Sequence, residues 1–267
     1  MTEFDIKEMN PWKDIKLTKL YADSPIYALD KDQDMIADFH KNLNDGDVKN
    51  RLILNIPPEP WQGNPLKAKV IFLSLNPGYI DNVNKKLAKV LQSNEHILKG
   101  INDFKENTLK LESCSFLPES NNEEPIGVKD AVNMLGDWYW EKGFRQLREK
   151  CCIGTYTESR FYQDVAIIQS HAYSSEKYEH VFPRGGKLLH SQEFTKELIN
   201  YILQTSENTI FVIMRAVKVW KKILGIDIEG DKRFLIKESK SMSQAISSKN
   251  LGENKFIEIC KNLNPQC

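Results

Sequence analysis

The sequence predicts an α/β protein in which a central, mainly parallel sheet of four strands lies between helices as a three-layer αβα sandwich. Four short segments are apolar at nearly every position, which is typical of strands buried on both faces; they are Lys69–Leu75, Val165–Gln169, Thr209–Met214 and Phe234–Lys237. Helical patterns separate these segments, as the crossovers of a parallel sheet require. No repeat or low-complexity linker divides the 267 residues. We therefore expect one domain over residues 1–267.

The residues before the first strand, about 1–56, are interpreted as a helical extension. In "DKDQDMIADFHKNLND", Met35, Ile36, Phe39 and Leu43 share one face at helical spacing. The aspartates at its start suit the positive end of a helix, and His40 is expected to be solvated. The following "NIPPEPWQGNP" is predicted to be a loop, because its prolines exclude a helix and a central strand.

A polar, mostly helical pattern fills about 81–160, which we interpret as a helical insertion with an exposed loop at "LPESNNEEPIG". After the second strand, "SQEFTKELINYILQ" predicts an amphipathic helix opened by Ser191. The helix "AVKVWKKIL" follows the third strand, and "GENKFIEICKNL" follows a serine-rich loop after the fourth. Strand and helix thus alternate over the second half of the chain.

The charge balance and the cysteine spacing exclude some classes of function. Lys+Arg and Asp+Glu both number 37, so any nucleic-acid site must be a local basic patch. The five cysteines show no C-x-x-C spacing, which argues against a disulfide framework and an iron–sulfur cluster. The charged amino terminus and the absence of a long apolar run predict a cytoplasmic protein without a membrane partner.

Polar residues collect where the predicted strands end, which is where open α/β sheets bind their ligands. These ends read Asn76-Pro77-Gly78, Gln169-Ser170-His171 and Met214-Arg215, with a serine-rich stretch after Glu238. The Asn-Pro-Gly turn can aim an amide into a crevice, or it can simply be a favourable turn. The residues alone leave both interpretations open.

The run "PPEPWQGNPLKAKVIFLSLNPGY" resembles the entry to the uracil-DNA glycosylase superfamily, in which a proline-rich loop and a glycine precede a buried strand with a GxNPG-type end. The mismatch-specific and single-strand-selective branches are the most similar. Ser74 replaces the first glycine of that motif. The later "AISSKNLGENKFIEI" resembles the closing HPSPRNP loop, with Ser247, Lys249 and Asn250 at motif positions and Ala245 where the family has histidine.

The resemblance implies hydrolysis of the N-glycosidic bond of uracil or another damaged or modified base in DNA, with no cofactor and no metal. Asn76 would hold the attacking water, and His171 would supply the positive charge of the missing loop histidine, unless it is a hydrogen-bonded structural residue. Gln169 would read the base where the family has asparagine. The other residues expected to contact the base are Leu75, Gly78, Tyr79 and Tyr173.

Phosphate contacts are expected from "PRGGK", from the end of the third strand and from the closing loop. The residues are Arg184, Gly185, Gly186, Lys187, Arg215, Ser247, Ser248 and Lys249. Arg215 could instead form an internal ion pair with a carboxylate such as Glu238, which we favour slightly. Gly185 and Gly186 could be only a flexible turn.

An alternative to the enzyme is a catalytically degenerate protein that keeps the glycosylase fold and binds nucleic acid or a partner protein. Zero net charge, Gln169 and Ala245 favour this alternative or an altered substrate, whereas Asn76 favours catalysis. A nucleotide-binding enzyme of another class lacks support, because the chain has neither a P-loop nor a dinucleotide fingerprint.

Overall fold

The computed structural model describes residues 1–15, 17–21, 24–54, 58–77, 143–177, 187–238 and 245–267. Most of the predicted helical insertion lies outside these residues. The same holds for Gly78, Tyr79, Arg184, Gly185 and Gly186, and for the serine-rich loop up to residue 244. The expectations for these residues therefore stay predictions.

The central sheet has five strands, not four, in the order β3-β5-β4-β6-β7. All neighbours are parallel except β3, which pairs antiparallel with β5. The strands are β3 (Trp61–Gln62), β4 (Val70–Ser74), β5 (Val165–Gln169), β6 (Ile210–Ile213) and β7 (Phe234–Ile236). The α/β class and the four predicted parallel strands are thus confirmed.

The fifth strand lies in the segment predicted to be a loop. Two non-proline residues, Trp61 and Gln62, pair with Ile168 and Ile167 of β5 at the edge of the sheet. The prolines on either side do not interrupt a ladder, because an edge strand needs partners on one side only. Pro60 even extends the pairing, since its carbonyl oxygen accepts a hydrogen bond from the Gln169 N–H at 2.9 Å.

The amino-terminal extension contains a hairpin as well as helices. Strands β1 (Leu17–Tyr21) and β2 (Ser24–Tyr27) pair antiparallel in a separate two-stranded sheet. The helices here are α1 (Glu3–Glu8) and α2 (Asp30–Lys41). His40 is not solvated as expected: its Nε2 accepts a hydrogen bond from the Leu52 N–H at 3.0 Å, and burial lowers its pKa to about 4.

Helices lie on both faces of the central sheet. The remaining helices of the described residues are α3 (Arg145–Cys151), α4 (Glu158–Asp164), α5 (His190–Thr205), α6 (Val217–Leu224), α7 (Ser248–Leu251) and α8 (Glu253–Leu263). Because side chains alternate along a strand, Ile71 packs in one core cluster with α5 and α6. Phe72 packs in a second cluster with α3, α4 and α8. We call the two sides the α5 face and the α8 face.

The connections make β4 the point where the chain changes faces. The described part of the connection from β4 to β5 contains α3 and α4, which pack on the α8 face. After β5 and after β6 it passes through α5 and α6, which pack on the α5 face. Neighbouring strands whose connections leave to opposite faces open a crevice at their carboxyl ends, the usual ligand position in such sheets. This crevice lies at the end of β4.

A buried hydrogen-bonded pair ties the extension to the sheet. The Tyr173 hydroxyl donates to Asp32 Oδ2 at 2.8 Å and accepts from the Leu29 N–H at 3.2 Å. Asp32 Oδ1 accepts from the Ser191 N–H at 3.3 Å. Burial raises the pKa of Asp32, and its hydrogen bonds oppose that rise. Helix α2 is thereby joined to α5 and to the segment after β5.

Tyr173→Phe should lower the free energy of unfolding by about 1–3 kcal/mol, because it removes a donor from a buried carboxyl group. Chemical denaturation of the variant measures the loss. Tyr201→Phe is the matched control, since Tyr201 is only partly buried on α5 and should lose much less. Equal losses in the two variants would contradict a specific role for the Tyr173–Asp32 hydrogen bond.

Candidate functional site

Pairing between the segments that follow β4 and β5 brings the predicted site residues together. Ser74 lies in register with Gln169. Beyond the strands, the Ser170 N–H donates to the Ser74 carbonyl at 3.1 Å and the His171 N–H donates to the Leu75 carbonyl at 3.2 Å. Asn76 follows directly. Leu75, Asn76, Gln169 and His171 therefore lie at one edge of the sheet, as the sequence predicts.

The Asn76 side chain is held rigidly at this edge. It is 5% exposed, and its Nδ2 donates to Ser175 Oγ at 2.9 Å and to the Pro77 carbonyl at 3.1 Å. Ser175 Oγ in turn donates to the Lys177 carbonyl at 2.7 Å. Within the described residues no hydrogen bond reaches Asn76 Oδ1, so this oxygen is available to accept one from a water or a ligand.

The side-chain amide of Gln169 is buried and unsatisfied within the described residues. It is 1% exposed, and neither Oε1 nor Nε2 has a hydrogen-bond partner among the described residues. A buried amide without partners costs about 1–3 kcal/mol, and native proteins keep few such groups without a reason. Since Val165 and Ile167 point to the α8 face, alternation directs Gln169 to the same face.

A mainly apolar pocket lies on the α8 face at the ends of β4, β5 and β6. The empty space in and above it is about 350 Å³, which includes open solvent. Its lining includes Phe72, Ser74, Ile167, Phe144 and Arg215. Ile246, which follows Ala245 of the closing-loop motif, also contributes to the wall. The pocket thus occupies the crevice that the topology creates beside β4.

The far end of this pocket is basic. Arg215 follows β6 and Lys237 follows β7, and the Lys237 N–H donates to the Ile213 carbonyl at 3.0 Å. Burial, together with the nearby Arg215 charge, lowers the pKa of Lys237. Glu238, suggested above as a partner for Arg215, forms its ion pair with Lys255 at 2.9 Å between Oε1 and Nζ. Arg215 therefore brings a positive charge to the pocket lining, and Lys237 lies close enough to feel that charge.

His171 does not supply a positive charge at neutral pH. Its side chain is buried, and burial lowers its pKa to about 4. The neutral imidazole can orient a neighbouring group but cannot stabilise an anion as a permanent cation. The role given to His171 from the sequence stays a prediction, and the lowered pKa does not favour it at neutral pH.

The other predicted residues differ in their surroundings. Tyr173 is buried in the core of the α5 face and bonded to Asp32, so it offers no free ring face for a base. Ser247 Oγ accepts a hydrogen bond from the Asn250 N–H at 3.3 Å and caps α7. Lys187 and Lys249 are exposed and Ser248 is partly exposed, positions from which phosphate contacts are sterically possible.

Sequence reasoning missed two polar residues of the proline-rich loop. Gln62 Nε2 donates to Glu59 Oε1, and burial of the Glu59 carboxyl raises its pKa to about 7. The Glu59 N–H donates to the Ala172 carbonyl at 2.8 Å, so this loop lies beside the segment that leaves the carboxyl end of β5. The signal in the sequence was "PPEPW", in which the charged Glu59 lies between two prolines and the apolar Trp61 follows the second of them.

Comparison of the chain with protein-family models, with curated proteins and with solved structures finds no match. Across the described ranges, no group of three or more His, Cys, Asp or Glu side chains is arranged to hold a metal ion. Helices long and apolar enough to cross a membrane are absent from the same ranges. The site must therefore be interpreted from its own geometry.

His171→Gln should flatten the dependence of stability on pH between about 6.5 and 4. The pKa of His171 is lower in the folded than in the unfolded chain, so the unfolded chain binds more protons in this window and folding loses stability as the pH falls. The loss reaches about 3 kcal/mol for a shift of this size. Chemical denaturation at a series of pH values measures it in both proteins.

A wild-type stability that does not fall over this window more steeply than that of His171→Gln would contradict a neutral, buried imidazole. The slope of stability against pH is the informative quantity, because a loss of packing in the variant lowers the free energy of unfolding by the same amount at every pH.

Proposed function

We propose that this chain hydrolyses the N-glycosidic bond of a damaged or modified base in DNA. The observation that carries the proposal is the buried, unpartnered amide of Gln169 beside the rigidly held amide of Asn76. An amide offers one donor group and one acceptor, which suits the hydrogen-bonding edge of a base. The sequence resemblance to uracil-DNA glycosylases supports the same function.

The architecture is compatible with the three-layer sandwich of that superfamily. Helices pack on both faces of a mainly parallel sheet, and the antiparallel edge strand β3 adds to the four strands expected from the resemblance. The motif residues lie at the carboxyl edge, where the connections change faces.

The chemistry assigned to Asn76 is to hold the attacking water. Its Nδ2 is fixed by Ser175 and Pro77, so Oδ1 can accept one hydrogen bond from a water. In the reaction the bond between the sugar carbon and the base nitrogen breaks, and the base leaves with the electron pair. The water oxygen adds to the sugar carbon as its proton is released. Positioning by such a group contributes about 10²-fold or more to a rate.

The spacing of the strand ends suits one nucleotide. Gln169 and Arg215 follow strands separated by two interstrand spacings, about 10 Å. A base read by Gln169 would place its sugar over Ser74 and its phosphate near Arg215 and Lys237. Lys187, Ser247, Ser248 and Lys249, together with Arg184, Gly185 and Gly186, would contact further phosphates. DNA binding through these residues would be local, since the net charge is zero.

One observation favours binding without efficient catalysis. The His171 side chain is buried, and burial lowers its pKa to about 4, so at neutral pH it would give the leaving base no imidazolium charge. A protein that flips out and binds a modified base without releasing it would keep Gln169 and the basic pocket end but would not need Asn76.

Asn76→Ala should reduce base release by about 10²-fold or more, and it should lower the free energy of unfolding by about 1–3 kcal/mol because Ser175 Oγ and the Pro77 carbonyl lose a donor. Single-turnover release from single- and double-stranded oligonucleotides, each with one uracil or other modified base, measures the rate, and thermal denaturation measures the stability. Asn200→Ala, a partly exposed change on α5, is the matched control and should change neither.

If Asn76→Ala releases bases at the wild-type rate but melts at a lower temperature, the Asn-Pro-Gly turn is architectural. Wild-type protein that binds an oligonucleotide of this panel but releases no base would support the binding alternative.

A further inference from the structure

Gln62 and Gln169 present their amides to the same side of the sheet. Gln62 lies directly opposite Ile167 in the antiparallel pair of β3 and β5, and opposite residues share a face. Ile167 lines the pocket on the α8 face, and Gln169 follows it by two residues on that face. The two glutamines are therefore diagonal neighbours on the α8 face, on either side of Ile167, which lines the pocket.

Glu59 fixes the orientation of the Gln62 amide. An ionised carboxylate only accepts hydrogen bonds, so it must face the Gln62 Nε2 group and not the carbonyl oxygen. The structure has this arrangement, with Gln62 Nε2 donating to Glu59 Oε1. Gln62 Oε1 then points away from Glu59, is buried, and has no partner among the residues that the structure describes.

Three polar atoms of these two side chains thus have no hydrogen-bond partner among the described residues. Gln62 Oε1 and Gln169 Oε1 are acceptors, and Gln169 Nε2 is a donor. The side chains are 7% and 1% exposed, so solvent satisfies them poorly. A ligand that satisfies all three atoms should offer two N–H bonds to the two acceptors and one lone pair to the donor.

We propose that Gln62 and Gln169 select a base that carries an exocyclic amino group, with Glu59 as the residue that positions Gln62. The inference rests on the proposed function and specifies its substrate class. An amino group has two N–H bonds, enough for both glutamine oxygens, and a ring nitrogen or carbonyl beside it accepts from Gln169 Nε2. Cytosine-like, adenine-like and guanine-like bases all have this combination.

Uracil does not match the polar atoms of Gln62 and Gln169 well. Its single ring N–H lies between two carbonyl oxygens, so it can satisfy only one of the two glutamine acceptors. The other acceptor would face a carbonyl oxygen or stay unpaired in a buried site, which is unfavourable. The selection against uracil depends on the Gln62 orientation and therefore on Glu59.

The test is binding to single-stranded oligothymidine with one central cytosine or, in the matched probe, one central uracil. A second pair of probes carries one central adenine or, in the matched probe, one central hypoxanthine. Fluorescence anisotropy at about pH 8, where Glu59 is ionised, gives the dissociation constants. Wild-type protein should bind each amino-bearing probe about tenfold more tightly than its oxo counterpart.

Two variants test the positioning role. Gln62→Met removes the acceptor at similar volume, and Glu59→Gln lets the Gln62 amide adopt either orientation. Both should bring the amino-to-oxo ratio close to one, mainly by improving binding of the oxo probes. Gln204→Met on the exposed side of α5 is the control and should keep the wild-type ratio. Thermal denaturation of each variant identifies any that fails to fold, and the other then decides the test.

A wild-type ratio of about tenfold that both folded variants abolish supports the proposal. Binding of the probes with a wild-type ratio near or below one, or a ratio that the variants leave unchanged, overturns this proposal and leaves the glycosylase proposal standing. Failure to bind any of the four probes, or any modified-base oligonucleotide, overturns both.

Discussion

The structure depends on the pairing of β4 with two parallel neighbours. Val70 is in register with Val165 of β5 on one side and with Ile210 of β6 on the other. A strand paired on both edges and covered by helices on both faces can carry no polar side chain until it ends. The first such residue is Ser74, at the last position of β4, and Asn76 follows two residues later. The position of the candidate site is therefore set by backbone pairing.

This central position explains why polar groups near the site are buried as well as fixed. Backbone hydrogen bonds from Ser170 and His171 continue the β4–β5 pairing past the strand ends. The polar side chains of this region, such as Asn76 and Gln169, are therefore buried. Some are satisfied internally, as Asn76 is by Ser175. Others, such as Gln169, have no partner in the described part of the chain. In our proposals these unsatisfied amides form the recognition edge.

Burial also determines which residues can be charged. His40 and His171 both have pKa values near 4, and the carboxyl of Glu59 has one near 7, in each case mainly because burial disfavours the charged form. The charged residue of the pocket lining is Arg215 at the end of β6, with Lys237 near it at the end of β7. A ligand with an anionic group is expected to place it at that end.

The parallel strands could be predicted because each is a continuous apolar run, and their polar ends because sheets of this class bind ligands there. The edge strand at Trp61 could not be, since two residues carry no periodicity. The β1–β2 hairpin lacks a clean alternation in "LTKLYADSPIY". Burial of His171 and Tyr173 follows from packing against distant segments. The pairing of Gln62 with Ile167, which places its amide beside Gln169, depends on a register that local sequence does not encode.

The most direct test of the central claim follows the side-chain amide of Gln169 by two-dimensional ¹⁵N–¹H NMR during titration with a modified-base oligonucleotide. If Gln169 is the recognition group at the end of β5, its side-chain amide resonance should shift on binding, because its Nε2 group then donates a hydrogen bond to the base. The amide of Gln204, exposed on α5, should stay unchanged. Binding that shifts backbone resonances elsewhere but leaves the Gln169 amide in place would contradict the account.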